Sequence, residues 1–160
     1  MPPLAIKITP SGSGTATTTA TFLRVYRAFI SGSTEPDGVI LIANGGTTYA
    51  SIGGDHQTLM ALWTVPAGYT AYLFQYDVTA FTEQSNKFAT VKLITRELNG
   101  VFRTQHTFDI FQAGFHQAIE APIPIPEKTD IEFRAIASSS NADLKISAAF
   151  DIIYIANTAP

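Results

Sequence analysis

From Phe22 onward apolar and polar residues alternate with a period of two, the spacing that sends successive side chains to opposite faces of a β-strand. Over residues 69–78 one row holds Thr70, Tyr72, Phe74, Tyr76 and Val78 and the other Ala71, Leu73, Gln75 and Asp77, which predicts an inward face running from Tyr72 to Val78. Over residues 87–95 the apolar row is Ala89, Val91 and Leu93. Over residues 101–110 it is Phe102, Phe108 and Ile110, interrupted by Thr104 and His106. The clearest amphipathic pair comes last: Ile131, Phe133, Ala135 and Ala137 alternate with Asp130, Glu132 and Arg134, then Leu144, Ile146, Ala148, Phe150, Ile152 and Tyr154 alternate with Lys145, Ser147 and Asp151. Sustained helical spacing is missing.

The runs are separated by turn chemistry: Ser31-Gly32-Ser33, Pro36-Asp37-Gly38, Asn44-Gly45-Gly46, Gly53-Gly54-Asp55, Pro66-Ala67-Gly68, Asn99-Gly100 and Ser138-Ser139-Ser140-Asn141. Short strands joined by tight turns, with no helix between them, predict an all-β fold, an antiparallel β-sandwich or jelly roll of about ten strands. The segment Ala121-Pro122-Ile123-Pro124-Ile125-Pro126 cannot be a central strand, because its prolines bring no N–H to a ladder, and it is expected as an extended connection along one edge. Residues 1–21 differ from the rest. Gly/Ser pairs and a Thr-rich run read as a flexible or strand-adding N-terminal arm, followed by a sandwich domain over residues 22–160.

With 160 residues, 46% of them hydrophobic, the chain fits one compact domain with a sizeable core. Cysteine is absent, which excludes disulfides, thiolate metal sites and thiol nucleophiles. The formal charge of −3 lacks the basic surplus that nucleic acid binding needs. No apolar run reaches the roughly 18 residues of a membrane span, and no signal peptide is expected at the N-terminus. Charged residues are only 14% of the chain, against about 25% in an ordinary domain. A surface so thinly charged suits a protein whose outer face meets other subunits.

Catalytic constellations are hard to find. The string Gly53-Gly54-Asp55-His56-Gln57 reads as a turn, since adjacent side chains on an extended chain diverge. His106 and His116 flank a short connection and, with Asp109 or Glu120, could bind zinc or iron, but satisfied surface or interface histidines are the better reading. Asp77, Glu97, Asp109 and Glu120 offer no evident pair for glycoside chemistry. Phosphate-cradling glycine motifs are missing. No catalytic residue, cofactor or metal is therefore expected.

The stretch Ser51-Ile52, Gln57-Thr58-Leu59-Met60-Ala61 and Thr64-Val65-Pro66-Ala67-Gly68-Tyr69-Thr70-Ala71-Tyr72 resembles one in β-rich structural proteins of tailed bacteriophages. So do Arg96-Glu97-Leu98-Asn99-Gly100-Val101-Phe102-Arg103-Thr104-Gln105-His106 and Ile125-Pro126-Glu127-Lys128-Thr129-Asp130-Ile131. The resemblance implies a non-enzymatic virion component of the capsid cement or decoration type, on the exterior of a phage capsid assembled in the bacterial cytoplasm. Its implied partners are the major capsid protein and further copies of itself, as a homodimer or homotrimer, with neither nucleic acid nor membrane. Arm residues Leu4, Ile6, Ile8, Thr17 and Thr19, together with Trp63, Tyr154 and Ile155, are the expected contact residues, because tails and stray aromatics are where subunits are gripped. A receptor- or carbohydrate-binding sandwich of a head or tail fibre, with Trp63, Tyr69 and Tyr76 as platforms, stays open as an alternative, as does another head–tail joint component.

Overall fold

The computed structural model describes residues 6–9, 14–22, 24–34, 36–53, 56–83, 86–139 and 143–157. Among them the protein is all-β, with nine strands instead of about ten, every pair antiparallel, and no helix. The chain divides into two compact units, Met1–Met60 and Ala61–Pro160.

In the first unit β1 (Ile40–Asn44) and β2 (Thr47–Ile52) form a hairpin. Its turn is Gly45-Gly46, with φ of 57° and 82°. Positive φ at both central positions is what a two-residue type I′ turn demands, and glycine supplies it without steric cost. The alternation from Phe22 to Val39 does not become a strand in the described residues. A single bridge, Phe29 to Gln57, replaces it, with Ile30 N–H donating to the His56 carbonyl at 2.8 Å and Thr58 N–H to the Ala28 carbonyl at 2.9 Å. The described parts of the arm, residues 6–9 and 14–21, form no strand.

The second unit holds two sheets. One has the order β3 (Leu62–Thr64), β8 (Asp130–Ala137), β5 (Ala89–Arg96), β6 (Arg103–Ile110). The other has β7 (Gly114–Ile125), β4 (Tyr69–Phe81), β9 (Lys145–Ala156). The pairs β5–β6, β4–β7 and β3–β8 nest inside one another like a long hairpin folded over, and β5–β8 and β4–β9 stitch the layers of that hairpin together. Both sheets supply one continuous core: Leu93 and Ile131 from the four-stranded sheet, Ala71, Leu73, Tyr76 and Ile125 from the three-stranded one.

Strand β4 does not keep the single phase its alternation predicts. A bulge between Leu73 and Gln75 reverses it, so Ala71 and Leu73 are buried before the bulge and Tyr76, Val78 and Ala80 after it. Tyr72 is only half-buried and Phe74 is 38% exposed, which corrects the inward row Tyr72 to Val78. One extra residue flips every later side chain, and period-two reasoning cannot locate it. A second register shift, between Leu93 and Ile94, separates Phe102 from the inward row of Phe108 and Ile110.

Tyr76 is the hub of the core. Its ring lies 5.4 Å from Phe133, 6.1 Å from Phe115 and 6.4 Å from Phe108, and Phe108 and Phe115 stack at 4.4 Å. Its hydroxyl reaches His106 Nδ1 at 2.7 Å, so the buried phenol is satisfied, and burial raises its pKa above 10.0. The proline-rich segment is not a connection but the end of β7, an edge strand. There the missing N–H groups of Pro122 and Pro124 are tolerated, while Ile125 is buried and Ile123 packs on the core.

The β3–β4 turn, with Gly68 at φ 83°, is tied to the β7–β8 turn. Gly68 N–H donates to Glu127 Oε2, and that bond, with Lys128 beside it, lowers the Glu127 pKa below its ordinary 4.5. A carboxyl lowered in the folded state stabilises above its unfolded value, and that stabilisation is lost as pH falls through the folded one.

Two outcomes are expected. Tyr76→Ala should cost about 3–5 kcal/mol in denaturant unfolding, and Tyr76→Phe only about 0.5–1.5 kcal/mol, because exposed His106 can turn to water. Glu127→Gln should melt below wild type at pH above 4.5, and the gap should close as pH falls; a gap unchanged in thermal melts over about pH 3 to 7 would separate the Gly68 bond from the charge.

Candidate interaction surfaces

Three aromatic side chains meet where β3, β4 and β9 end together. Trp63 and Tyr154 stack at 6.3 Å, and Tyr69 meets Tyr154 edge-on at 6.2 Å. Trp63 is half-buried and packs against the core, so it closes the end of the space between the sheets instead of standing free. Ile155 follows Tyr154 and points the opposite way, to the outer face, opposite Thr70. Two positions back, Ile153 stands on that same outer face opposite Tyr72. Ile153 and Ile155 are 55% and 56% exposed, and with Phe74 at the bulge they leave an apolar patch on the outside of the three-stranded sheet.

Of the expected contact residues, Trp63 and Tyr154 are brought together, and Ile155 lies beside them on the other face. Ile6, Ile8, Thr17 and Thr19 belong to the first unit and are exposed without joining a strand. Leu4 lies outside the described residues. Ile153 and Phe74 are not among the contact residues expected from the sequence. For Ile153 a signal exists, since an isoleucine occupies a position of the row that holds Lys145, Ser147 and Asp151. For Phe74 none does, because its exposure follows from the bulge.

The two histidines considered as ligands do not share a site. His106 faces Tyr76 between the sheets, whereas His116 pairs with Asp77 at 2.7 Å on the outer face of β4 and β7, both side chains more than half exposed. Asp109 accepts from Thr90 Oγ1 at 2.6 Å. Among the described residues no group of three or more His, Asp or Glu is placed to hold a metal. In the first unit, a shallow depression lined by Tyr49, Ser51, Gln57, Leu59 and Met60 contains no His, acid, Lys or Arg.

One cluster of charges lies on the outer face of the four-stranded sheet. Arg96 donates through Nε and Nη2 to Asp130 Oδ2 at 3.1 and 2.7 Å, and Thr64 Oγ1 donates to Asp130 Oδ1. One position along, Arg134 is held by Glu132. Both carboxylates are buried. Between the two guanidiniums sits Phe102, whose ring centroid is 4.5 Å from Arg96 Cζ and 4.1 Å from Arg134 Cζ. The arginines thus do two things at once: they neutralise buried acids and clamp the β5–β6 loop by cation–π contact. Their partners, Asp130 and Glu132, are inside this unit.

No protein family, curated protein or solved structure matches the chain.

Arg96→Ala should cost about 1–3 kcal/mol in denaturant unfolding, between the values for exposed and buried pairs, because it strands Asp130 and unclamps Phe102. Phe102→Ala should cost less and should loosen the β5–β6 loop, which faster amide exchange at Leu98 and Val101 would report.

Proposed function

We propose that this protein is a non-enzymatic structural component of a tailed-phage virion, a capsid cement or decoration protein that lies across major capsid subunits and stabilises the head. The observation that carries the reading is an exposed apolar patch, Phe74, Ile153 and Ile155, on a thinly charged β-block whose polar clusters are engaged internally. Such a patch is costly on a free monomer and favours a partner surface. The phage-like strings of the sequence support the same reading, and so does the fold proposed for the second unit. Its nested strand pairs favour a β-sandwich with jelly-roll connectivity, four strands over three. Many weak, identical attachments would add up through the repeated lattice.

The grouping of Trp63, Tyr69 and Tyr154 favours a second reading, a carbohydrate-binding component of a fibre, although Tyr76, once a third platform, is fully buried. Co-sedimentation with empty heads of the cognate phage tests the first reading. Binding in hundreds of copies per particle supports it, and a dozen or fewer, or none, overturns it. Removal of residues 1–21 is expected to weaken the binding, and undiminished binding would exclude the arm as a contact. Ile153→Asp with Ile155→Asp should weaken it about tenfold or more, by taking apolar area out of the contact. Binding on a glycan array that Tyr154→Ala abolishes would favour the fibre reading.

A further inference from the structure

The three-stranded sheet ends in two unlike edges. On one side β7 carries Pro122 and Pro124, which remove ladder donors, and exposed Glu120 and His116. On the other side β9 runs for twelve residues without a proline and without a bulge of its own, since the extra residue is on β4. Among the described residues no strand pairs with its far edge. Its inward residues Ile146, Ala148, Phe150 and Ile152 are only half-buried, whereas their β4 neighbours Ala80, Val78, Tyr76 and Leu73 are buried. A long apolar edge in this state is a template for another strand.

The sequence of β9 also complements itself. Counted outward from Ala148, Ser147 matches Ala149, Ile146 matches Phe150, Lys145 matches Asp151 and Leu144 matches Ile152. If two copies pair antiparallel about a two-fold axis at Ala148, each Lys145 faces the other copy's Asp151 on the outer face, and the apolar residues face one another on the inner face. Both charged residues are exposed, and Gln75 Nε2 donates to Asp151 Oδ2 at 2.7 Å, which fixes the carboxylate. A register one residue away would set each charge opposite an apolar side chain of the other face. The matching of charge and of apolar rows at one register selects a second copy of this chain as the occupant.

We infer that β9 is a homodimer interface, in which two copies join edge to edge and their three-stranded sheets become one of six. The inference needs no capsid and stands or falls independently of the virion reading.

Sedimentation equilibrium of the full chain tests it, with Lys145→Asp, Asp151→Lys and the double exchange. Wild type is expected to dimerise. Each single variant should raise the dissociation constant about tenfold, by setting like charges opposite one another twice, and the double variant should return it to within about threefold. A monomer at every concentration, a trimer, or a double variant no tighter than the singles would overturn the inference. So would a dimer lost on removal of residues 1–21 but indifferent to these charges, which would assign the edge to a neighbour's arm. Because the chain has no cysteine, register can be read directly. Ala148→Cys should cross-link to itself in oxidised glutathione, its Cα atoms lying about 4.5–5.5 Å apart across the axis, whereas Ser147→Cys, two residues out of register with its copy, should not. Unchanged circular dichroism of each variant keeps a loss of pairing distinct from a loss of fold.

Discussion

The burial of Tyr76 between the two sheets is the constraint on which the second unit depends. Its ring touches aromatic side chains from β6, β7 and β8, and Phe133 passes the contact on to Phe150 of β9, so strands from both sheets meet around one residue. Aromatic rings bring large apolar areas, and tilted or offset contacts add to what area alone supplies. The phenol would be a liability at that depth without a partner, and His106 provides one from the opposite sheet. The bulge in β4 makes the arrangement possible, because it turns Tyr76, Val78 and Ala80 inward after Ala71 and Leu73 have already faced the core.

The same bulge shapes the outside. A residue added to β4 leaves Phe74 exposed, near the outward isoleucines of β9. Elsewhere several polar side chains are committed: Arg96 and Arg134 to buried acids and Phe102, Glu127 to the Gly68 turn, Asp77 to His116. A protein with few charges has thus used several of them internally, and what it shows to the exterior of the three-stranded sheet is in part apolar. The proposed virion role and the proposed pairing of β9 draw on different parts of this surface, one on a face and the other on an edge.

The edges follow the same economy. Proline in β7 blocks one side of the three-stranded sheet, while β9 keeps a full complement of backbone donors and acceptors and a half-covered apolar row. Unequal protection of two edges in one sheet is easiest to understand if only one of them meets a neighbour.

Local patterning determined much of this fold. The alternation in residues 131–137 and 144–154, the glycines of the β1–β2 turn, and the prolines that confine residues 121–126 to an edge are all properties of adjacent residues, so the strand class, the inward row of β9 and the antiparallel pairing could be read directly from the chain. Phase and partnership could not. The bulge at Phe74, the register shift that sends Phe102 out to two arginines, and the parting of His106 from His116 depend on which strands become neighbours. Pairing register is set by contacts between residues far apart in sequence, and a single extra residue reverses every face beyond it. The amino-acid order by itself therefore decided that the protein is built of strands, while only the tertiary structure decided which side chains those strands bury and which they leave for a partner.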